Sequence, residues 1–268
     1  MLAPLVGVGI IHLLLDRLRP RSAVLAFTTA GLLLAGASTL SLAAAAAPAV
    51  AHLVDLALDS PWSAEPWLSA VSPRWVSWVC LVAVVAVGAS VGVTVRRQRV
   101  ALRAARAEAV SLPGDAEVVV LPDERADAFA LPGTPGRIVV TEGMLAALGP
   151  AQHPALFAHE RAHLAGGHHR FAFAVRLAAA AHPGLRPLVT MVDYAIERWA
   201  DELAAAEVGD RRSVAQVIGT AALAATHPVE PCGPLAQRAC APWRRGPRPG
   251  PVPRRVAALL LPPSGRGR

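Results

Sequence analysis

The chain has little cysteine and few aromatic residues. Its three cysteines, Cys80, Cys232 and Cys240, are an odd number, with one in an apolar run and two near the carboxyl end. This count and spacing argue against a disulfide framework and against a cysteine-rich metal site. Aromatic residues make up 4% of the chain, while alanine is plentiful. Such a composition favours helices that pack through small residues over a large aromatic core.

Net charge is also missing from most of the chain. The formal net charge is +7, but residues 227–268 contain eight arginines and one glutamate, so the preceding part is neutral overall. Because no basic surface is spread over the folded part, we expect no nucleic-acid partner. Ten of the 24 prolines also lie in residues 227–268. We therefore predict a Pro/Arg-rich tail that is disordered, in which the apolar residues 256–261 could dock as a short helix.

Charged side chains are absent from long stretches of the first 95 residues. Residues 22–47 and 75–95 carry no charge, and each run exceeds the roughly 20 residues that a helix needs to cross a bilayer. Residues 1–15 are apolar too, but their positive charges follow rather than precede them, unlike those of a cleaved signal peptide. We read residues 1–95 as three transmembrane helices.

The distribution of arginine predicts how these helices are oriented. Arginines cluster at residues 17–21 and 96–106, whereas the loop before residue 75 is acidic. By the positive-inside rule, the two arginine clusters face the cytoplasm. Residues 96–112 form a basic juxtamembrane linker, which includes an amphipathic helix able to lie against anionic lipid. A multi-pass protein of the cell membrane with its remaining domain in the cytoplasm is expected.

Turn residues and alternating apolar residues mark a separate domain at residues 113–226. Short strands are predicted at residues 117–121, 128–131 and 137–141, and we expect a small antiparallel sheet. Thr141 suits the N-cap of a short helix. Further helices are predicted at residues 154–165, 171–181, 185–191 and 213–226.

A short motif in the predicted helix at residues 154–165 carries metal chemistry. His159, Glu160 and His163 form an H-E-x-x-H motif. Histidines four residues apart lie on one face of a helix, so both imidazoles can reach one Zn²⁺ ion. Glu160 stands beside that face, where it can accept a proton from a water molecule that the metal activates.

Two candidates compete for the third metal ligand. Glu197 and Asp201 lie four residues apart on one helix face, so that Glu197 could bind zinc while Asp201 orients His159. The alternative is His169, since residues 159–169 also match the metzincin pattern, with Met191 as its methionine turn. We favour Glu197 because the metzincin interpretation leaves the carboxylate pair without a role.

A family resemblance rests on these residues. The run A-H-E-R-A-H-L-A-G-G-H-H-R, followed by E-R-W-A-D-E, resembles the membrane zinc peptidases of the BlaR/MecR type. More distantly the chain is similar to the HtpX-like and CAAX prenyl protease group of gluzincins. That likeness implies His159, His163 and Glu197 as zinc ligands and Glu160 as the base. It also implies that Ala128, Phe129 and Ala130 form the edge strand that receives a peptide substrate.

The sequence thus predicts an α-helical membrane protein with an α+β, gluzincin-like zinc peptidase domain. Its expected activity is zinc-dependent hydrolysis of peptide bonds in a protein substrate at the cytoplasmic membrane face, with regulatory proteolysis as one role. The alternative is a non-catalytic zinc-binding signalling or scaffold protein in the membrane. Arg211 and Tyr194 are weaker candidates for stabilising an oxyanion in the transition state.

Overall fold

The computed structural model of the protein describes residues 18–58, 74–112, 114, 116–225 and 252–261. The chain divides into two compact units. The sheet unit comprises Met1–Ala26, Arg97–Ala172 and Met191–Arg268, and the helical unit comprises Phe27–Arg96 and Phe173–Thr190. The first predicted transmembrane helix, at residues 1–15, lies outside the described residues.

Two long helices dominate the amino-terminal part of the chain. Helix α1 spans Pro20–Leu58 and helix α2 spans Arg74–Ser111. Both are long and apolar enough to cross a membrane, judged by length and composition. They contain the uncharged runs predicted at residues 22–47 and 75–95. Helix α2 continues without a break through residues 96–111, so the predicted juxtamembrane helix is the end of the same helix.

Small residues allow close packing within the helical unit. A Cβ atom on Gly31 of α1 would lie 3.2 Å from the Leu188 Cδ1 atom and 3.7 Å from the Ala178 Cβ atom. These partners belong to helices α5 (His168–Ala181) and α6 (Arg186–Val208), which a short 3₁₀ turn at Pro183–Leu185 connects. The helix predicted at residues 185–191 is therefore only the beginning of α6, which continues to Val208.

The sheet unit is built on three strands in the order β1–β3–β2, where β1 is Val118–Leu121, β2 is Ala128–Leu131 and β3 is Arg137–Thr141. Strand β2 pairs with β3 antiparallel, but β1 pairs with β3 parallel. The prediction of an antiparallel sheet is therefore wrong for β1. The chain reverses twice between β1 and β3, and β2 takes the outer position, so β3 becomes the buried central strand.

One hydroxyl group links the sheet to the helix that follows it. Thr141 ends β3 and caps helix α3 (Glu142–Ala147), as the sequence predicts. Its Oγ1 atom accepts hydrogen bonds from the Met144 amide at 3.2 Å and from the Asp127 amide at 2.9 Å. Thr141 therefore fixes the beginning of β2 and the beginning of α3 together.

The carboxyl end of α2 packs on this sheet. Ala105 and Ala109 are buried against Val139 and other apolar residues of the sheet. The Arg137 side chain is buried and donates hydrogen bonds to the carbonyl groups of Ala109 and Leu112 at 3.2 and 3.0 Å. The arginines of this part of α2 are on its exposed side: Arg96, Arg97, Arg99, Arg103 and Arg106. The helix is thus amphipathic, as predicted.

Three further helices complete the sheet unit. Helix α4 (His153–Ala165) has a proline in its first turn, as predicted, and packs on β2 and β3. Helix α7 (Arg211–Ala224) packs against α4, and helix α8 (Val252–Leu260) packs against α7. Helix α8 lies within residues 227–268 and overlaps residues 256–261, where the sequence analysis allows a short docked helix. Its apolar residues dock on the core.

Candidate metal centre

The two histidines of the motif lie on the same face of α4. Their Nε2 atoms are 3.2 Å apart, because one helical turn separates the two residues. The His159 side chain is 13% exposed and that of His163 is 20% exposed. Both imidazoles are therefore mostly shielded from solvent but can still be reached.

Glu197 joins this pair from helix α6. Its Oε2 atom lies 3.7 Å from His159 Nε2, and its Oε1 atom lies 3.8 Å from His163 Nε2. The three residues offer donor atoms that all lie within 4.8 Å of one another. The helical excursion through α5 and α6 thus brings Glu197 opposite the histidines, as the sequence predicts.

The spacing of these donor atoms fits a zinc ion. Bonds of about 2.0–2.1 Å in tetrahedral geometry separate neighbouring donor atoms by about 3.3 Å. The separation of 3.2 Å between the two nitrogen atoms matches that value. Each histidine nitrogen has one oxygen of Glu197 slightly farther away, Oε2 at 3.7 Å from His159 and Oε1 at 3.8 Å from His163. Two imidazoles and one carboxylate are also a ligand set found at catalytic zinc sites. Three protein ligands leave the fourth position of the metal for water or substrate.

Asp201 contacts the other ring nitrogen of His159. The His159 Nδ1 atom lies 3.1 Å from Asp201 Oδ1, and only 2% of the Asp201 side chain is exposed. A carboxylate in this position favours the tautomer whose Nε2 atom is free to bind a metal. Asp201 therefore lies next to His159, the histidine that the sequence analysis expects it to orient.

His163 has a corresponding neighbour that the sequence analysis missed. The His168 Nδ1 atom lies 3.1 Å from His163 Nδ1. His168 is 2% exposed, and its ring centroid is 4.6 Å from that of Trp199. An acceptor at His163 Nδ1 leaves the Nε2 atom of that ring free for a metal. The only signal for His168 in the sequence is its place in a histidine pair beside the motif.

The alternative ligand His169 is not part of this cluster. Its charged neighbours are Arg170 and Arg106, and burial together with these cations lowers its pKa. Met191 lies inside helix α6 and is 5% exposed, so the methionine turn proposed for the metzincin interpretation is absent from this part of the described chain.

Arg255 of helix α8 is the second residue that the sequence analysis missed. Its guanidinium group donates to both carboxylate oxygens of Asp201, with distances of 2.8 and 2.7 Å. Its Nη1 atom also lies 2.9 Å from Glu197 Oε2. One buried cation therefore contacts both carboxylates of the site.

Burial and charge set the protonation of the histidines. Burial lowers the pKa of His163 to about 3, so its imidazole is neutral and can bind a metal. Burial also acts to lower the pKa of His159, but the contacts with Asp201 and Glu197 outweigh it and raise the pKa to about 10. A metal ion that binds His159 must therefore displace a proton.

The two glutamates of the site also differ in their pKa values. Burial raises the pKa of Glu160 to about 7, so this group can take up and release a proton near neutral pH. Burial acts in the same direction on Glu197, but the charge of Arg255 and the contact with His159 hold its pKa well below the usual range. Glu197 is thus ionised while Glu160 is poised to exchange a proton.

A cavity of about 140 Å³ opens beside His159 and Glu160. Asp127 and Ala128, at the beginning of β2, line one part of it. The rest of the wall is mostly apolar and comes from α3, α4, α7 and α8: Met144, Ala155, Leu156, Val214, Val217, Ile218, Ala221, Ala222 and Val252. The predicted substrate strand of Ala128, Phe129 and Ala130 is β2, which lies at an edge of the three-stranded sheet and begins at the cavity.

The two weaker candidates have other partners. Arg211 donates to the Leu259 and Ala258 carbonyl groups at 2.9 and 3.0 Å and also binds Glu202. Tyr194 is buried, and its ring lies 4.7 Å from the Arg254 guanidinium carbon. Neither residue lines the cavity beside Glu160, so the structure gives no support to an oxyanion role for them.

Residues 93–181 match the family model described as Peptidase family M48. This match supports the M48 metallopeptidase family. Members of M48 are zinc metallopeptidases, in agreement with the donor set of His159, His163 and Glu197. The matched segment contains the motif helix and ends before Glu197, so the third ligand rests on the geometry of α6. No curated protein and no solved structure matches the chain.

Proposed function

We propose that the chain is a zinc-dependent endopeptidase of the cell membrane that hydrolyses peptide bonds of a protein substrate at the cytoplasmic face. The observation that carries the proposal is the triangle of donor atoms from His159, His163 and Glu197 beside the half-buried Glu160. The M48 match supports a metallopeptidase. The likeness to the BlaR/MecR type supports regulatory proteolysis as its role.

In this proposal the side chains divide the chemistry among them. His159, His163 and Glu197 would hold Zn²⁺, which, when bound, polarises the scissile carbonyl group and makes water a better nucleophile. Glu160 accepts the proton of the attacking water on its carboxylate and transfers it to the departing amine. Its pKa of about 7 suits both transfers. Asp201 and His168 hold the two imidazole rings in place.

The cavity and the edge strand indicate how a peptide would be held. An extended peptide can add to an exposed edge of a sheet through backbone hydrogen bonds. At β2 such a peptide would pass the beginning of the strand, where Asp127 and Ala128 line the cavity. An apolar wall there favours an aliphatic side chain next to the scissile bond.

The decisive variant is Glu160→Gln in the full chain, purified with zinc and mixed with an unfolded test protein. Removing the carboxylate abolishes the proton transfer while keeping all three metal ligands, so we expect bound zinc and no cleavage. Cleavage at the rate of the unmodified chain would reject the proposed mechanism. If the unmodified chain binds zinc but cleaves no protein, the alternative of a non-catalytic zinc-binding scaffold takes its place.

The membrane orientation needs a separate measurement. Helices α1 and α2 meet the length and composition of membrane spans, and the arginines at residues 96–106 favour a cytoplasmic sheet unit. A cysteine introduced at the exposed position Arg170 should resist a membrane-impermeant thiol reagent in intact cells and react with it in lysed cells. Equal labelling in both would contradict the cytoplasmic location.

A further inference from the structure

The carboxyl-terminal helix α8 reaches the candidate metal centre through one side chain. Arg255 is 9% exposed, and its three nitrogen atoms contact two carboxylates of α6. Two of these contacts go to Asp201 in a bidentate arrangement, and the third goes to Glu197 Oε2. Buried arginines with this geometry bind carboxylates in a fixed orientation, because the guanidinium group is planar and presents its donors in a fork.

Helix α8 itself is anchored independently of these contacts. Leu259 is 2% exposed and belongs to the same core cluster as Val214 and Ile218 of α7. Arg211 donates to two carbonyl groups in the last turn of α8 and also binds Glu202 of α6. The position of Arg255 is therefore set by packing and by hydrogen bonds that do not involve the metal centre.

The arrangement of oxygen atoms indicates what Arg255 does. Arg255 contacts the Oε2 atom of Glu197, and the Oε1 atom of the same carboxylate is the one nearest His163 Nε2. On the other side, Asp201 uses Oδ1 for both Arg255 and His159 Nδ1. A shift of the guanidinium group would therefore move the Glu197 carboxylate and loosen the contact that orients His159.

We infer that Arg255 is a positioning residue of the metal centre, which holds the carboxylates of Glu197 and Asp201 so that His159, His163 and Glu197 converge on one ion. The inference rests on the proposed zinc site. It assigns a role to a residue of the proline- and arginine-rich end of the chain, outside the segment 93–181 that matches the family. The site is then complete only when α8 is docked.

The charge balance supports this role. Glu197 and Asp201 are one helical turn apart, so their carboxylates repel each other when both are ionised. Asp201 is 2% exposed, and a buried carboxylate that loses its cation is left with an uncompensated charge. Arg255 supplies the compensating charge in the absence of the metal and offsets the repulsion between the two carboxylates.

The test measures metal binding in the full chain with the variants Arg255→Gln and Arg255→Lys. Removing a residue that orients metal ligands weakens metal affinity by about 10- to 100-fold. We expect a loss of that size for Arg255→Gln, measured by competition with a zinc chelator. The zinc affinity of Arg255→Lys should lie between those of Arg255→Gln and the unmodified chain, since a single ammonium group cannot contact both carboxylates in the same way. The visible spectrum of bound Co²⁺ should change in both variants, because ligand orientation changes.

Arg254→Gln is the matched control, since it removes the same charge from the neighbouring position of α8, where the side chain lies over Tyr194. It should bind zinc like the unmodified chain. Unchanged affinity in Arg255→Gln, or an equal loss in Arg254→Gln, would overturn the inference. If Arg255→Gln does not fold, the measurement on Arg255→Lys decides. A zinc affinity of Arg255→Lys equal to that of the unmodified chain would then count against a positioning role. These measurements do not use proteolysis, so a failure of the proposed enzyme activity is distinguishable from a failure of this inference.

Discussion

His163 Nε2 and Glu197 Oε1 lie 3.8 Å apart, although the two residues are in different helices. The chain between them forms α5, a short 3₁₀ turn and the first half of α6. The return of α6 therefore determines which carboxylate lies beside the histidine pair. Of the two candidates for the third ligand, it brings Glu197 next to the histidine pair.

Substitution of the third ligand is the first prediction. Glu197→Ala removes a donor atom of the triangle, so zinc affinity should fall by more than the about 10- to 100-fold typical of residues that only orient ligands. His169→Ala should retain zinc, because its charged neighbours are Arg170 and Arg106 rather than the cluster. The zinc content of each variant after dialysis against a weak chelator measures these effects. Retention in Glu197→Ala together with loss in His169→Ala would reverse the assignment.

The second prediction concerns His168. His168→Ala removes the neighbour of His163 Nδ1, so the ring of His163 loses the contact that orients it, and zinc affinity should fall by about 10- to 100-fold. His168→Asn, which keeps an acceptor, should recover part of the loss. His169→Ala is again the control, because it removes a histidine from the adjacent position. Equal affinities in His168→Ala and the unmodified chain would contradict an orienting role.

The third prediction uses the raised pKa of Glu160. Burial raises this pKa from 4.5 to about 7, so the folded protein favours the protonated carboxyl group. For the metal-free chain, the free energy of unfolding should therefore decrease as the pH rises from about 4.5 to 7. Glu160→Gln removes this dependence and should be more stable than the unmodified chain at pH 8, by up to about 3 kcal/mol.

Thermal unfolding of the chelator-treated chain at pH 5 and pH 8 measures this effect. The midpoints of the two proteins should be similar at pH 5 and should separate at pH 8, with Glu160→Gln the higher. If the midpoints of the two proteins differ by the same amount at pH 5 and pH 8, Glu160 does not change its protonation in this range.

The fourth prediction concerns the cavity. Ala222 lines it, whereas Leu223 is 70% exposed and does not. Ala222→Phe should fill part of the about 140 Å³ and shift cleavage away from bonds that have large aliphatic neighbours. Leu223→Phe introduces the same side chain at the next position and should leave the cleavage pattern unchanged. Mass spectrometry of the peptides from an unfolded test protein compares the patterns, and identical patterns in all three proteins would show that the cavity does not receive the substrate.

Much of the sheet unit could be predicted because its signals are local. The strands, the N-cap at Thr141 and the motif helix agree with the structure within one or two residues, since turn residues and capping chemistry act on neighbouring residues. The direction of β1 could not be predicted in this way. Alternation of apolar and polar residues looks the same in parallel and antiparallel strands, and the path of the chain between β1 and β3 decides the pairing.

The site was predictable where it depends on helical spacing and not where it depends on distant packing. His159, His163, Glu197 and Asp201 follow from residues four apart on two helices. Arg255 does not, because its surroundings in the sequence are rich in proline and arginine, a composition typical of disorder. Contacts from distant parts of the chain hold this segment in place: the carboxylates of α6, the apolar core around Leu259 and the hydrogen bonds from Arg211.

Thr141 is not among the residues that line the cavity, yet its hydroxyl group binds two residues that are. The residues that its hydroxyl group holds, Asp127 and Met144, are both in the wall beside Glu160. A peptide lying along β2 would thus enter the cavity between Asp127 and Met144, whose backbone amides are both hydrogen-bonded to the same oxygen atom. A Thr141→Val exchange keeps the shape of this side chain but removes that oxygen, so the distance between the two sides of the entrance would lose a shared constraint.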